Sequence, residues 1–200
     1  ATLFVAGGPL AGMSIAGLLA LALAHAPHLD RHPVTVTADY PAGIALALVG
    51  GYAAQDAVAP AIVAVAALFV GLLAGIKIGI DALDASFDRS IDKRTVPVRF
   101  GPRAADRIAA GVFGATATAT AAVAGLGAIG ALDLRPAPAL AAAAVPFGCL
   151  LATVAVDGER AVRMQMGLTY GFAVLLFLSG CGGDCAGRTL LSRAAGLLAV

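Results

Sequence analysis

Charge is what this chain has least of. Only 12% of its 200 residues are Asp, Glu, Lys or Arg, where a soluble domain carries about 25%. Hydrophobic residues make up 60% and the mean hydropathy is +0.93, a balance that excludes a water-soluble globular domain. Cysteine is scarce too. Cys149, Cys181 and Cys185 are an odd number with one close pair, which argues against a cysteine metal site. Cys181 and Cys185 are four apart, poor geometry for a disulfide within one helix, so all three read as small apolar packing residues. There is no excess of one charge sign: a net charge of +1 leaves nothing with which to hold a nucleic acid. No Ser-His-Asp arrangement, P-loop or dinucleotide fingerprint is present. No basic stretch precedes the first apolar run, so no cleavable signal peptide is indicated.

What the chain does have is apolar length. Six spans, about 5–27, 41–59, 60–80, 105–131, 137–156 and 166–182, each approach the ~20 residues that cross a bilayer. Lipid offers no partner to backbone polar groups, so the spans are expected as helices. Gly71, Gly75 and Gly79 form a ridge at helical spacing on the third span, a seam for close helix approach. The expected fold class is an all-α integral membrane protein with about six transmembrane helices in a single domain, residues 1–200. Charge sets the expected orientation. Six of the 13 basic residues, Arg89, Lys93, Arg94, Arg99, Arg103 and Arg107, lie between Asp81 and Ile108. The positive-inside rule places that loop in the cytoplasm. Arg31, Arg160 and Arg163 fall on the same face; Arg135, Arg188 and Arg193 fall on the other. Both ends of the chain then lie outside. Together with a first residue, Ala1, that leads directly into apolar sequence, this points to an odd number of helices preceding it.

The acidic residues are concentrated in one place. Asp81, Asp84, Asp88 and Asp92 are four of the 12, at spacings of three, four and four. On a continuous helix Asp81, Asp88 and Asp92 fall within about 40° of one another, with Asp84 about 60° to one side. Like charges so placed repel, at about 0.2–0.5 kcal/mol per pair, so the ladder predicts a cation. Oxygen-only ligands suit Mg²⁺, which completes its shell with water and phosphate oxygens. A phosphate or diphosphate substrate is the corresponding expectation. Lys77 lies one turn before Asp81. It either snorkels to the membrane edge, pairs with Asp81 or meets an anionic substrate group. Thr95 and Pro97 stop the helix, and Pro102 opens the next. Residues 81–104 thus form a helix-loop unit in which carboxylates alternate with Arg and Lys, which hold phosphate oxygens directly.

The pattern Asp81, Asp84, Asp88, Arg89, Arg94, Thr95, followed by the turn Val98-Arg99-Phe100-Gly101, resembles the second aspartate-rich motif of the UbiA superfamily of intramembrane prenyltransferases. Asp92 departs from it, since that family often has Gly there. The order of helices fits the last six of the nine that the family implies. The resemblance implies Mg²⁺-dependent transfer of a prenyl group from a prenyl diphosphate to a hydrophobic, membrane-embedded acceptor, aromatic or lipid. It implies Asp84 and Asp88 as catalytic residues that bind metal, with Asp81 assisting. It implies Arg89, Lys93, Arg94 and, less directly, Lys77 as diphosphate contacts. The family's first motif begins with Asn, and this chain contains no Asn. The other acids, among them Asp30, Asp39 and Asp56, are scattered and form no second ladder. The chain therefore reads as the C-terminal two-thirds of such an enzyme, in the cell membrane with the aspartate loop cytoplasmic. The alternatives are a non-catalytic membrane fragment or scaffold, and a transporter with a cation site. His25, His28 and His32 could share a face and bind metal but read as a loop at the membrane edge, and Tyr170 is the best placed tyrosine for an acceptor cavity.

Overall fold

The computed structural model describes residues 8–25, 28–54 and 59–180, and no strand occurs among them. The helices are α1 (Gly8–Ala24), α2 (Pro33–Ala53), α3 (Pro60–Leu83), the short α4 (Ala85–Ser90) and α5 (Val96–Phe100), then α6 (Pro102–Ala128), α7 (Pro136–Ala155) and α8 (Gly158–Gly180), with a 3₁₀ turn at Leu29–Arg31 between α1 and α2. Five of them, α2, α3, α6, α7 and α8, are long and apolar enough to cross a membrane, and α1 is apolar but only 17 residues long. The chain is an all-α membrane protein, as its composition requires.

Proline starts four of these eight helices. Pro33, Pro60, Pro102 and Pro136 each occupy a first helical position, where the missing N–H costs nothing and the fixed φ suits the helix. This shifts two boundaries from the sequence expectation. The second span begins at Pro33 rather than 41, because His32 caps the helix by accepting from the Val34 N–H at 3.3 Å and Pro41 is tolerated inside it. The last span begins at Gly158 rather than 166, its first turns carrying an ion pair between Glu159 and Arg163. Asp56, Cys181 and Cys185 lie outside the described residues.

Each long helix packs on the next, and α8 returns to α3, so α3 touches α2, α6 and α8. Leu72, Phe113, Cys149, Phe172 and Leu176 form the centre of the core, none more than 2% exposed. Phe69 and Phe172 meet edge to face with ring centroids 5.3 Å apart. The glycine ridge of α3 faces two neighbours. A Cβ on Gly75 would come within 2.5 Å of the Phe113 ring of α6, and one on Gly79 within 3.1 Å of Val162 on α8. Large apolar side chains cover the outside, including Phe177 at 71% exposure and Tyr170 at 78%. That corrects the cavity reading of Tyr170, whose ring projects from the outer face of α8.

The succession of antiparallel helices sorts the connections to two ends. At one end the Arg94 N–H donates to the Asp30 carbonyl at 2.9 Å, and Gly158 lies beside Leu83. At the other the Arg135 N–H donates to the Ser179 carbonyl at 2.7 Å. Residues 28–32, 84–101 and 156–157 therefore share one end of the bundle.

Candidate functional site

The aspartate ladder does not ride on one continuous helix. α3 ends at Leu83, and Asp84 stands at the break with φ −93° and ψ 4°. The chain stays in near-helical register across it: the Asp84 N–H donates to Ile80 O at 3.2 Å and the Asp88 N–H to Asp84 O at 2.9 Å. Seven residues is close to two helical turns, so Asp81 and Asp88 both face inward, 2% and 3% exposed. Asp84 is exposed and caps neither helix with its side chain. Asp92, expected on the same face, has left it. Helix α4 has ended, Asp92 takes a left-handed φ of 55°, and its side chain is 89% exposed, with Arg94 Nε at 3.9 Å. That conformation is natural to Gly and tolerated by Asp.

Two lysines attend the buried carboxylates. Lys77 Nζ forms an ion pair with Asp81 Oδ1, so of the readings open in the sequence the pair with Asp81 is the one formed. Lys93 Nζ lies 3.8 Å from Asp88 Oδ1, beyond hydrogen-bond reach. Each carboxylate keeps one buried oxygen, Oδ2, without a hydrogen-bond partner, and so does the buried hydroxyl of Thr95. Buried polar atoms are usually paired. Three such atoms fall on one stretch of 15 residues, 81–95.

Beside them opens a cavity of about 290 Å³ lined by Arg89, Asp92, Lys93, Arg94, Val98 and Arg99. Four cations against one carboxylate give it a net positive lining. Val98 and Arg99 reach it from α5, which starts after Thr95, and Gly101, with a φ of 84°, turns the chain into α6. The structure thus gathers Asp81, Asp88, Lys77 and Lys93 inside, and sets Arg89, Arg94 and Asp84 on the exposed side.

A second group of ligating side chains adjoins this loop. His25 Nδ1 is hydrogen-bonded to Asp39 Oδ2, and His25 Nε2 lies 3.9 Å from Asp30 Oδ1. Among the described residues these three form the one cluster of His, Cys, Asp and Glu with ligand atoms all within 4.8 Å. Sequence reasoning missed it. Asp39 was placed before the second span, but the helix begins at Pro33 and turns Asp39 inward, 8% exposed. The helix-opening Pro33 was the available signal. His28 is exposed and His32 is spent on the α2 cap, so the three histidines do not act together.

Comparison of the chain with family models, curated proteins and solved structures gives no match.

Proposed function

We propose that this end of the bundle binds a prenyl diphosphate together with Mg²⁺, and that the protein transfers the prenyl group to a hydrophobic acceptor in the bilayer. The observation that carries the reading is the pair of inward carboxylates, Asp81 and Asp88, each with a buried oxygen left unpartnered, beside a cavity with four cationic side chains. A site that offers hard anionic oxygens and guanidinium groups together suits a ligand that is itself a metal-bound polyanion. An apolar bundle with one polar end suits a ligand with an anionic head and an isoprenoid tail.

The donor set fits Mg²⁺: carboxylate oxygens with nothing softer in the loop. Asp81 and Asp88 would hold it from inside and Asp84 from the exposed rim. Once bound, Mg²⁺ supplies charge neutralisation to the departing diphosphate. The protein's own contribution is positional. Arg89, Arg94 and Arg99 bind phosphate oxygens and fix the head group. Lys93, not hydrogen-bonded to Asp88, turns toward the same oxygens. Lys77 pairs with Asp81 and fixes its carboxylate within the bundle. As the allylic C–O bond breaks, these fixed cations stabilise the charge that develops on the leaving oxygen without reorganising. The new bond forms when the acceptor's electron pair attacks the allylic carbon and its proton is lost.

The test is calorimetric binding of a non-hydrolysable prenyl thiolodiphosphate to the detergent-purified protein, with Mg²⁺ and with EDTA. Binding is expected only with Mg²⁺, and Asp88→Asn is expected to weaken it by at least tenfold. Equal binding in EDTA, or an unchanged affinity in Asp88→Asn, removes the reading in favour of a structural polar cap.

A further inference from the structure

We infer that His25 Nε2 and Asp30 Oδ1 form a second divalent-cation site, one that selects a transition metal and is distinct from the aspartate loop. The neutral imidazole has one donor and one acceptor nitrogen. The carboxylate of Asp39 can only accept, so Nδ1, hydrogen-bonded to it, carries the proton. That leaves the lone pair on Nε2. This nitrogen faces Asp30 Oδ1 at 3.9 Å, an oxygen that is buried and has no hydrogen-bond partner. Two ligands at about 2.0–2.1 Å from a tetrahedral metal sit about 3.3 Å apart, so a closure of roughly half an ångström suffices.

Asp39 completes the argument. A metal-binding histidine almost always gives its other N–H to a carboxylate, which fixes the tautomer and the ring orientation. Asp39 does this from within α2, with its side chain only 5% exposed. A simple salt bridge at a membrane edge has no need of a buried carboxylate behind the ring. The site also has a fixed frame. The Asp30 backbone carbonyl is held by the Arg94 N–H at 2.9 Å, and the Asp30 turn is clamped further by Thr35 Oγ1, which donates to Leu29 O at 2.6 Å. His25 remains half exposed, 49% by side chain, so remaining coordination positions open to water. One imidazole with carboxylate and water favours Zn²⁺, Mn²⁺ or Fe²⁺ over Mg²⁺, which prefers oxygen throughout.

Mn²⁺ alone, added to the full chain in detergent, is the probe. Electron spin-echo modulation detects a directly bound histidine nitrogen, a signal the all-oxygen aspartate loop cannot give, so the result is independent of the diphosphate reading. One nitrogen coupling per chain is expected, displaced by Zn²⁺. It should vanish in His25→Ala, persist in His28→Ala, and require at least tenfold more Mn²⁺ in Asp30→Asn. Asp39→Asn, which acts through the ring, should weaken binding by about 10–100-fold. Absence of nitrogen coupling in the unsubstituted protein overturns the site, and that measurement needs no variant to fold. Coupling that survives in His25→Ala, or in His25→Gln should the alanine variant fail to fold, overturns it equally.

Discussion

Asp88 and Asp84 are four residues apart in one motif, yet the protein treats them differently. Asp88 is 3% exposed with an orphaned oxygen, and Asp84 stands in solvent at a helix break. A ligand set that includes both should lose most of its affinity with the dehydrated member, whose interaction is least screened. Asp88→Asn is therefore expected to weaken Mg²⁺-dependent diphosphate binding at least three times more than Asp84→Asn. Calorimetry on the two variants checks this, and equal losses would mean that the helix straightens when ligand binds. Asp92 offers a test of conformation rather than charge. At φ 55° a Cβ is strained, and a β-branched side chain more so. Asp92→Gly should leave thermal stability unchanged or slightly raised, while Asp92→Val should lower it by about 1–2 kcal/mol. The two melting curves decide it.

Among elements, α3 organises the rest, because it contacts α2, α6 and α8 and then delivers Asp81 to the polar end. Its glycines leave room for side chains of α6 and α8. Adding a methyl at Gly75 drives it into the rigid Phe113 ring, which is itself fully buried. Gly75→Ala should cost about 1–3 kcal/mol, the usual range for overpacking. Gly111 of α6 has open space around its Cβ position, so Gly111→Ala should be neutral or slightly stabilising through helix propensity. Unfolding of both variants in mixed micelles separates a packing seam from mere glycine abundance. The seam was legible in the sequence, since 3.6-residue periodicity survives any tertiary detail. So was the shared face of Asp81 and Asp88, seven residues apart. The break at Asp84 was not, because residues 81–90 include no Gly or Pro and nothing local stops a helix there. Nor was the cluster of His25 with Asp39, 14 residues away. Only the folding back of α2 on α1 brings it together, and a turn geometry of that kind is not written in periodicity.

At the scale of the molecule, charge separates the two ends of the bundle. Among the described residues, Arg31, Arg89, Lys93, Arg94, Arg99, Arg103, Arg107, Arg160 and Arg163 belong to the end that holds the aspartates, and Arg135 to the other. An asymmetry of that size, counted over short connections, is what sets orientation during insertion. The aspartate end is therefore expected in the cytoplasm, where soluble diphosphate esters and Mg²⁺ are supplied. Single cysteines introduced at Ser86 and at Asp133, both exposed and at opposite ends, report this directly in a background with Cys149, Cys181 and Cys185 changed to Ala. A membrane-impermeant maleimide added to intact cells should label Asp133→Cys and spare Ser86→Cys until the membrane is opened. The reverse pattern would place the carboxylates and the positively lined cavity outside. The diphosphate reading would then lose its supply of substrate even if the purified protein bound the analogue, so topology and binding together decide whether this site works in the cell as it does in the tube.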